Sequence, residues 1–217
     1  IFMGPLADLM SDVEISTVII KAGGRFFLPL PGASDDAFRA RRHRFYAPPL
    51  LREDIEDAAR TAIEARGPYV GLHLRYTDRA HQAPSDRAVE QAVIQACGDS
   101  GLTSVFIAGD SAQARKRWTS RIASMGLHPW SVEQDAWDRS AQGSEFPALV
   151  DWRVLGHAER SVYFAESSFA VEAAVASDGF DESIALAANP ARGAWVKARQ
   201  YGRAALTYPQ RHWFSAT

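Results

Sequence analysis

The residue types best suited to chemistry fall in one short run, Gly71-Leu72-His73-Leu74-Arg75-Tyr76-Thr77-Asp78-Arg79. Tyr69 to Arg75 reads as a strand, and side chains two apart on a strand share a face. His73 and Arg75 therefore point one way while Leu72 and Leu74 fill the other. A polar pair on a strand packed on both faces is costly unless it has partners. An arginine at the carboxyl end of such a strand suits a doubly charged oxygen ligand. Its planar fork grips phosphate bidentately, each charge-assisted bond contributing about 1.5–3 kcal/mol. Taken as bare residue types, the plainer reading is stronger: Arg75 pairs with Asp78, and His73 is a satisfied core histidine.

Two further segments bear on that choice. Val105-Phe106-Ile107-Ala108-Gly109-Asp110-Ser111 is an apolar strand ending in a small residue, a carboxylate and a hydroxyl. By default Asp110 and Ser111 simply start the next helix. Downstream, Asp151 lies within a helical pattern, and Ser167-Ser168 opens another helix after an apolar strand. Serines beside the free amides of a helix start make an anion site; plain N-capping is the ordinary alternative.

These residues need a scaffold, and the pattern supplies one. A helix from Arg52 ends at Gly67-Pro68, and the strand over 69–75 leads to a loop from Tyr76 to Pro84. A helix with Ser85 as N-cap follows, then a strand over 104–108 and a helix over 112–125. A strand over 127–132, a loop over 135–144 and a helix over 146–158 come next. The remaining elements are a strand over 161–164, a helix over 167–176 and a strand over 183–188. Such alternation implies βαβ units and a mostly parallel sheet, with ligands beyond the carboxyl ends of the strands. Upstream, 16–21 and 25–30 read as strands and 31–49 as loop. The basic stretch Arg39, Arg41, Arg42, His43, Arg44 within that loop reads as a solvated face, with a phosphate- or partner-binding role as the second reading.

Composition narrows the class. The 217 residues are 47% hydrophobic and 23% charged with a formal net charge of −2, which is ordinary for a globular domain and not for a nucleic-acid binder. The single cysteine, Cys97, excludes an internal disulfide and fits a reducing, cytoplasmic location. No apolar run approaches membrane-spanning length, and the opening Ile1-Phe2-Met3-Gly4-Pro5 reads as the interior of a longer chain. The sequence has no Walker loop, dinucleotide fingerprint, zinc helix or nucleophile elbow, which removes the usual anchors of kinase, dehydrogenase, zinc-hydrolase and α/β-hydrolase readings.

The ordered set is Gly-x-His-x-Arg-x-x-Asp at 71–78, Val-Phe-Ile-Ala-x-Asp at 105–110, then Asp151 with Ser167-Ser168. It resembles the α1,6/α1,2/protein O-fucosyltransferase superfamily, nearest to the core α1,6 enzymes and the nodulation-factor fucosyltransferase. The resemblance covers residues 67–188. It implies an α/β fold, the Rossmann-like donor-binding lobe of a GT-B glycosyltransferase with a partial N-terminal lobe. It also implies an inverting, metal-independent enzyme that uses GDP-fucose as substrate and needs no cofactor. A glycan or other hydroxyl-bearing molecule would be the acceptor.

By the same resemblance His73 and Arg75 contact the GDP, with Arg75 on the pyrophosphate. Asp151 contacts the base, Ser167 and Ser168 hold phosphate oxygens, and Asp110 belongs to the donor site. Two departures stand out. Tyr76 replaces the second arginine of many members, and Ala83 stands where the core α1,6 enzymes carry a carboxylate suited to act as base. Asp78, His81 and Asp86 are the nearest replacements. The expected organisation is an acceptor-side lobe or linker over 1–50, the nucleotide-sugar domain over 51–200 and a tail over 201–217 returning to the first lobe. The aromatics Trp195, Tyr201, Tyr208, Trp213 and Phe214 near the end fit such docking. Two alternatives remain open: a non-catalytic nucleotide-sugar-binding protein of the same fold, and an unrelated α/β nucleotide-binding enzyme.

Overall fold

Apolar strands and amphipathic helices that alternate in sequence fold here as successive βα units. The computed structural model describes residues 34–47, 51–77, 83–132 and 145–188. Helices α1 (Asp35–Tyr46) and α2 (Glu53–Glu64) precede β1 (Val70–Leu74). Then come α3 (Asp86–Ser100), β2 (Ser104–Gly109), α4 (Ala112–Ser124) and β3 (His128–Trp130). The chain continues through α5 (Glu145–Gly156), β4 (Arg160–Phe164), α6 (Ser168–Ala176) and β5 (Ile184–Leu186). The strands expected over 16–21 and 25–30, the loop over 135–144 and the aromatic tail lie outside the described residues.

The five strands form one parallel sheet in the order β3-β2-β1-β4-β5, the order of a Rossmann-type half with its first strand at the centre. The alternation of side chains decides which helices cover which face. Leu72, Leu74, Val105, Ile107, Val162 and Phe164 pack with Val89 and Val93 of α3 and Trp118 and Ile122 of α4. Tyr69, Phe106 and Ala108 meet Ile55 and Ala59 of α2 and Val150, Val154 and Leu155 of α5 on the opposite face. A central strand covered on both sides must be apolar at every position, which is why Val105–Ala108 is an unbroken run with no exposed surface.

Local signals set the ends of the helices. The Ser85 hydroxyl accepts the Ala88 amide at 3.2 Å. Helix α3 stops at Gly101, whose φ of 70° allows the left-handed turn that returns the Leu102 amide to the Cys97 carbonyl at 3.2 Å.

One expectation fails. Residues 35–46, read as loop, form α1. Their sequence lacks an apolar stripe, so periodicity gives no helix signal. Ser34 caps the start with its hydroxyl 3.2 Å from the Ala37 amide, and Asp35, Asp36, His43 and Arg44 complement the helix dipole. The basic stretch is also not simply solvated. Arg39 pairs with Asp181 and Arg42 with Glu172. The buried Tyr46 donates its hydroxyl to Glu172 at 2.8 Å, and His43 Nδ1 lies 3.0 Å from the Val175 carbonyl. A polar seam therefore docks α1 on α6 in place of an apolar one.

Candidate functional site

The strand order reverses at β1. From β1 the chain moves outward to β2 and β3, then crosses back to β4 and β5 on the other side. At such a reversal the loops leaving neighbouring strands diverge and open a crevice beyond their carboxyl ends. Arg75 leaves β1 there, and Glu166 and Ser167 leave β4. With Pro84, Phe164, Leu186 and Ala188 they line one shallow recess open to solvent.

The helix start at this recess differs from its counterparts. Ser34, Ser85 and Ser111 precede α1, α3 and α4, and each accepts an amide of its own first turn, at 3.2, 3.2 and 3.3 Å. Ser167 precedes α6 but makes no such bond. It is fully buried, and among the described residues its hydroxyl has no hydrogen-bond partner. The first-turn amides of a helix have no intrahelical acceptor. Here the hydroxyl that ordinarily satisfies one of them is left over as well.

His73 occupies the last turn of β1 before Arg75. Its ring sits among Phe164 and Phe169, at centroid distances of 6.5 and 5.5 Å, and its buried Nδ1 has no partner among the described residues. Burial pushes the imidazole down to about 4; the nearby Asp110 opposes that shift, and Arg75 and Arg115 reinforce it. It is therefore neutral near pH 7. Gly71 allows this strand to press against its neighbours, since a Cβ there would lie 3.0 Å from the Ser161 hydroxyl and 3.1 Å from Leu155.

Asp110 fixes the loop that carries Arg75. Its Oδ1 accepts the Tyr76 amide at 2.8 Å, while Oδ2 accepts the Thr77 amide at 3.3 Å and the Thr77 hydroxyl at 2.5 Å. One carboxylate at the end of β2 thus holds the chain as it leaves β1.

Beneath it lies a buried ion pair. Arg115 of α4 donates to the Gly109 carbonyl at 2.6 Å and the Ile107 carbonyl at 3.4 Å, and pairs with Asp151 of α5. Burial pushes the Asp151 carboxyl up to about 6 against the pull of Arg115. Its second oxygen, Oδ1, is buried and has no partner among the described residues.

Of the remaining expected residues, Ser168 and Asp86 can be placed. Ser168 is the exposed first residue of α6. Asp86, at the start of α3, pairs with Arg117 and Arg121, which occupies its carboxylate on the helix surface. Asp78 and His81 lie outside the described residues. Ala83, at the position of the missing carboxylate, is buried.

Sequence reasoning missed Arg115, Glu166 and Phe169. Arg115 did leave a trace: a cation in the first turn of a helix opposes the dipole and calls for a buried counter-ion. Glu166 and Phe169 carried no such mark. Among the described residues no cluster of three or more His, Cys, Asp or Glu side chains is placed to hold a metal ion. No described helix is long and apolar enough to cross a membrane.

No protein-family model and no curated protein matches the chain. Solved structures do show similarity. POFUT1 in complex with GDP-fucose aligns with a TM-score of 0.49 and 17% identity over 72% of this chain and 49% of that one. NodZ alpha-1,6-fucosyltransferase soaked with GDP-fucose gives 0.43 and 18% over 67% and 48%. An Arabidopsis thaliana FUT1 mutant in complex with GDP gives 0.39 and 16% over 57% and 31%. The chain spans about half the length of POFUT1 and NodZ.

Proposed function

We propose that this chain carries the donor-binding lobe of an inverting, metal-independent GT-B glycosyltransferase. Its donor is a nucleoside diphosphate sugar, GDP-fucose by the resemblance of its motifs. One observation carries the reading: Arg75 and the buried, uncapped Ser167 line the same recess where the strand order reverses.

Breaking a sugar–phosphate bond places negative charge on the departing diphosphate. Preorganised donors stabilise that charge better than water does, because they need no reorientation as it develops. Arg75 supplies a guanidinium fork, and the start of α6 supplies amides and the Ser167 hydroxyl. Neutral His73, with an open Nδ1, is suited to an uncharged hydroxyl or base edge. The open Oδ1 of Asp151 is the acceptor that a base N–H would use. Residues 1–50 would belong to the acceptor side, and residues 201–217 would return to it.

Titration calorimetry with GDP tests the reading. Arg75→Ala is expected to weaken binding at least ~100-fold, the loss of two charge-assisted bonds of about 1.5 kcal/mol or more each. Arg60→Ala, an exposed change on α2, is expected to bind as the wild type does. Equal affinity in the Arg75 variant sinks the assignment.

The buried Ala83 motivates a second reading, a nucleotide-sugar-binding protein without turnover. It predicts GDP binding with no release of GDP from GDP-fucose, which a coupled GDP assay reads directly.

A further inference from the structure

The resemblance of the motifs assigns Asp110 to the donor, yet its carboxylate is turned toward the chain leaving β1. Arg75 lines the recess and Asp110 does not. Both oxygens of Asp110 are engaged by the two residues after Arg75. Oδ1 accepts the Tyr76 amide at 2.8 Å, and Oδ2 accepts the Thr77 amide at 3.3 Å and the Thr77 hydroxyl at 2.5 Å. A donor diphosphate is itself an anion, and a carboxylate facing it would repel it. One engaged by backbone amides serves the site through what it holds.

Local structure secures that hold from several sides. Gly109 stands opposite Leu74 in the sheet, and a Cβ there would lie 3.1 Å from the Leu74 carbonyl oxygen. Glycine therefore lets the end of β2 close on the end of β1, which brings Asp110 within reach of the turn. Tyr76 is also anchored through its side chain. Its hydroxyl accepts the Trp118 Nε1–H at 3.2 Å, and its ring meets Phe164 at a centroid distance of 5.9 Å. Arg75 thus lies between Leu74, fixed in the sheet, and Tyr76, fixed by backbone and ring. A guanidinium on a long side chain binds more tightly when its backbone is held beforehand, because less freedom is lost on association.

We propose that Asp110 is a positioning residue of the donor site. It touches no donor atom and sets donor affinity by holding the Tyr76–Thr77 turn that fixes the backbone of Arg75. The role rests on the donor-site reading above.

Calorimetry with GDP on the full chain, with thermal melts alongside, compares the wild type, Asp110→Ala, Arg75→Ala and the double variant. Loosening the turn adds an ordering cost to binding, so Asp110→Ala is expected to weaken GDP about tenfold. In the Arg75→Ala background the same change is expected to alter affinity less than ~2-fold, because the group it positions is gone. Ser177→Ala, a destabilising change at the far end of α6, is expected to keep wild-type affinity, which separates positioning from general loss of stability. Thr77→Val removes only the hydroxyl contact at an exposed position. It is expected to weaken GDP about threefold, again only while Arg75 is present, and it carries the test if Asp110→Ala does not fold. An equal loss with and without Arg75 overturns the proposal, as does wild-type affinity in every folded variant of Asp110 or Thr77. Tighter GDP in Asp110→Ala also overturns it, because that marks a carboxylate facing the phosphates. A wild type that binds no GDP removes the donor-site reading, and this proposal with it.

Discussion

The two ends of α6 meet the same chemical demand in opposite ways. At its carboxyl end the polar groups find partners within the protein. The Ser177 hydroxyl donates to the Ala158 carbonyl at 2.6 Å and accepts the Gly179 amide at 3.0 Å, and His43 meets the Val175 carbonyl. At its amino end a serine of the same burial leaves its hydroxyl unmatched, with Arg75 lining the same recess. Buried polar groups without partners destabilise a fold by about 1–3 kcal/mol each. The donor site proposed above rests on this contrast between the two ends of one helix.

The contrast extends to the arginines. Arg115 is buried and engaged by strand carbonyls and Asp151, whereas Arg75 is partly exposed and lines the recess. If the first belongs to the fold and the second to the site, their variants separate cleanly. Asp151→Ala leaves the Arg115 charge buried and uncompensated and is expected to lose about 3–5 kcal/mol of stability in urea denaturation. Arg75→Ala, at a partly exposed position, is expected to cost less stability than Asp151→Ala. Equal losses in the two would erase the distinction.

How far each part could be read from sequence follows the same division. Every strand and helix from 51 to 188 in the described residues announced itself through apolar alternation, helical spacing or a capping serine, because burial on both sheet faces writes directly into residue type. Helix α1 did not, since Arg39, Arg42 and Tyr46 hold it through charge and hydroxyl contacts to residues more than a hundred positions away. In the site, the spacing of His73 and Arg75 was visible on one strand. Two things were not: that Asp110 serves the Tyr76–Thr77 loop, and that Asp151 answers to Arg115. Both depend on which strand lies beside β1, a tertiary fact that spacing does not encode. Ser167 looked like any N-cap, and only the missing bond to its own helix sets it apart.

The two buried titratable groups at the open end provide a finer test, because their linkages to pH have opposite sign. His73 is held at about 4 when folded, below its ordinary 6.5. Its contribution is present above pH 6.5 and is lost as pH falls toward 4, where the unfolded chain binds the extra proton. Asp151 is held at about 6, above its ordinary 3.8. Its contribution is present below that ordinary value and is lost as pH rises through 6. The wild type should therefore show a shallow profile between pH 5 and 7. In His73→Asn the histidine contribution disappears. The stability difference between wild type and variant is expected to be about 2 kcal/mol larger at pH 7 than at pH 5, roughly 1.5 pH units at 1.36 kcal/mol each. A difference independent of pH would mean that the imidazole is not desolvated as the packing among Phe164 and Phe169 implies.

The smallest effects test the two ends of α6 directly. Ser177→Ala removes a donor from the buried Ala158 carbonyl and an acceptor from the Gly179 amide, and is expected to lower stability by about 1–2 kcal/mol. Ser167→Ala removes a hydroxyl that bonds to nothing in the fold. Its loss relieves an unsatisfied group, so stability is expected to stay within about 0.5 kcal/mol of wild type or to rise. GDP affinity should move the other way: unchanged in Ser177→Ala, and weaker by roughly tenfold in Ser167→Ala if the hydroxyl bonds a phosphate oxygen. Denaturation and calorimetry on the same two proteins thus form a crossed pair. A Ser167 variant that loses stability without losing GDP would show that the open end of α6 belongs to the fold after all, because a group reserved for a ligand has nothing to contribute before the ligand arrives.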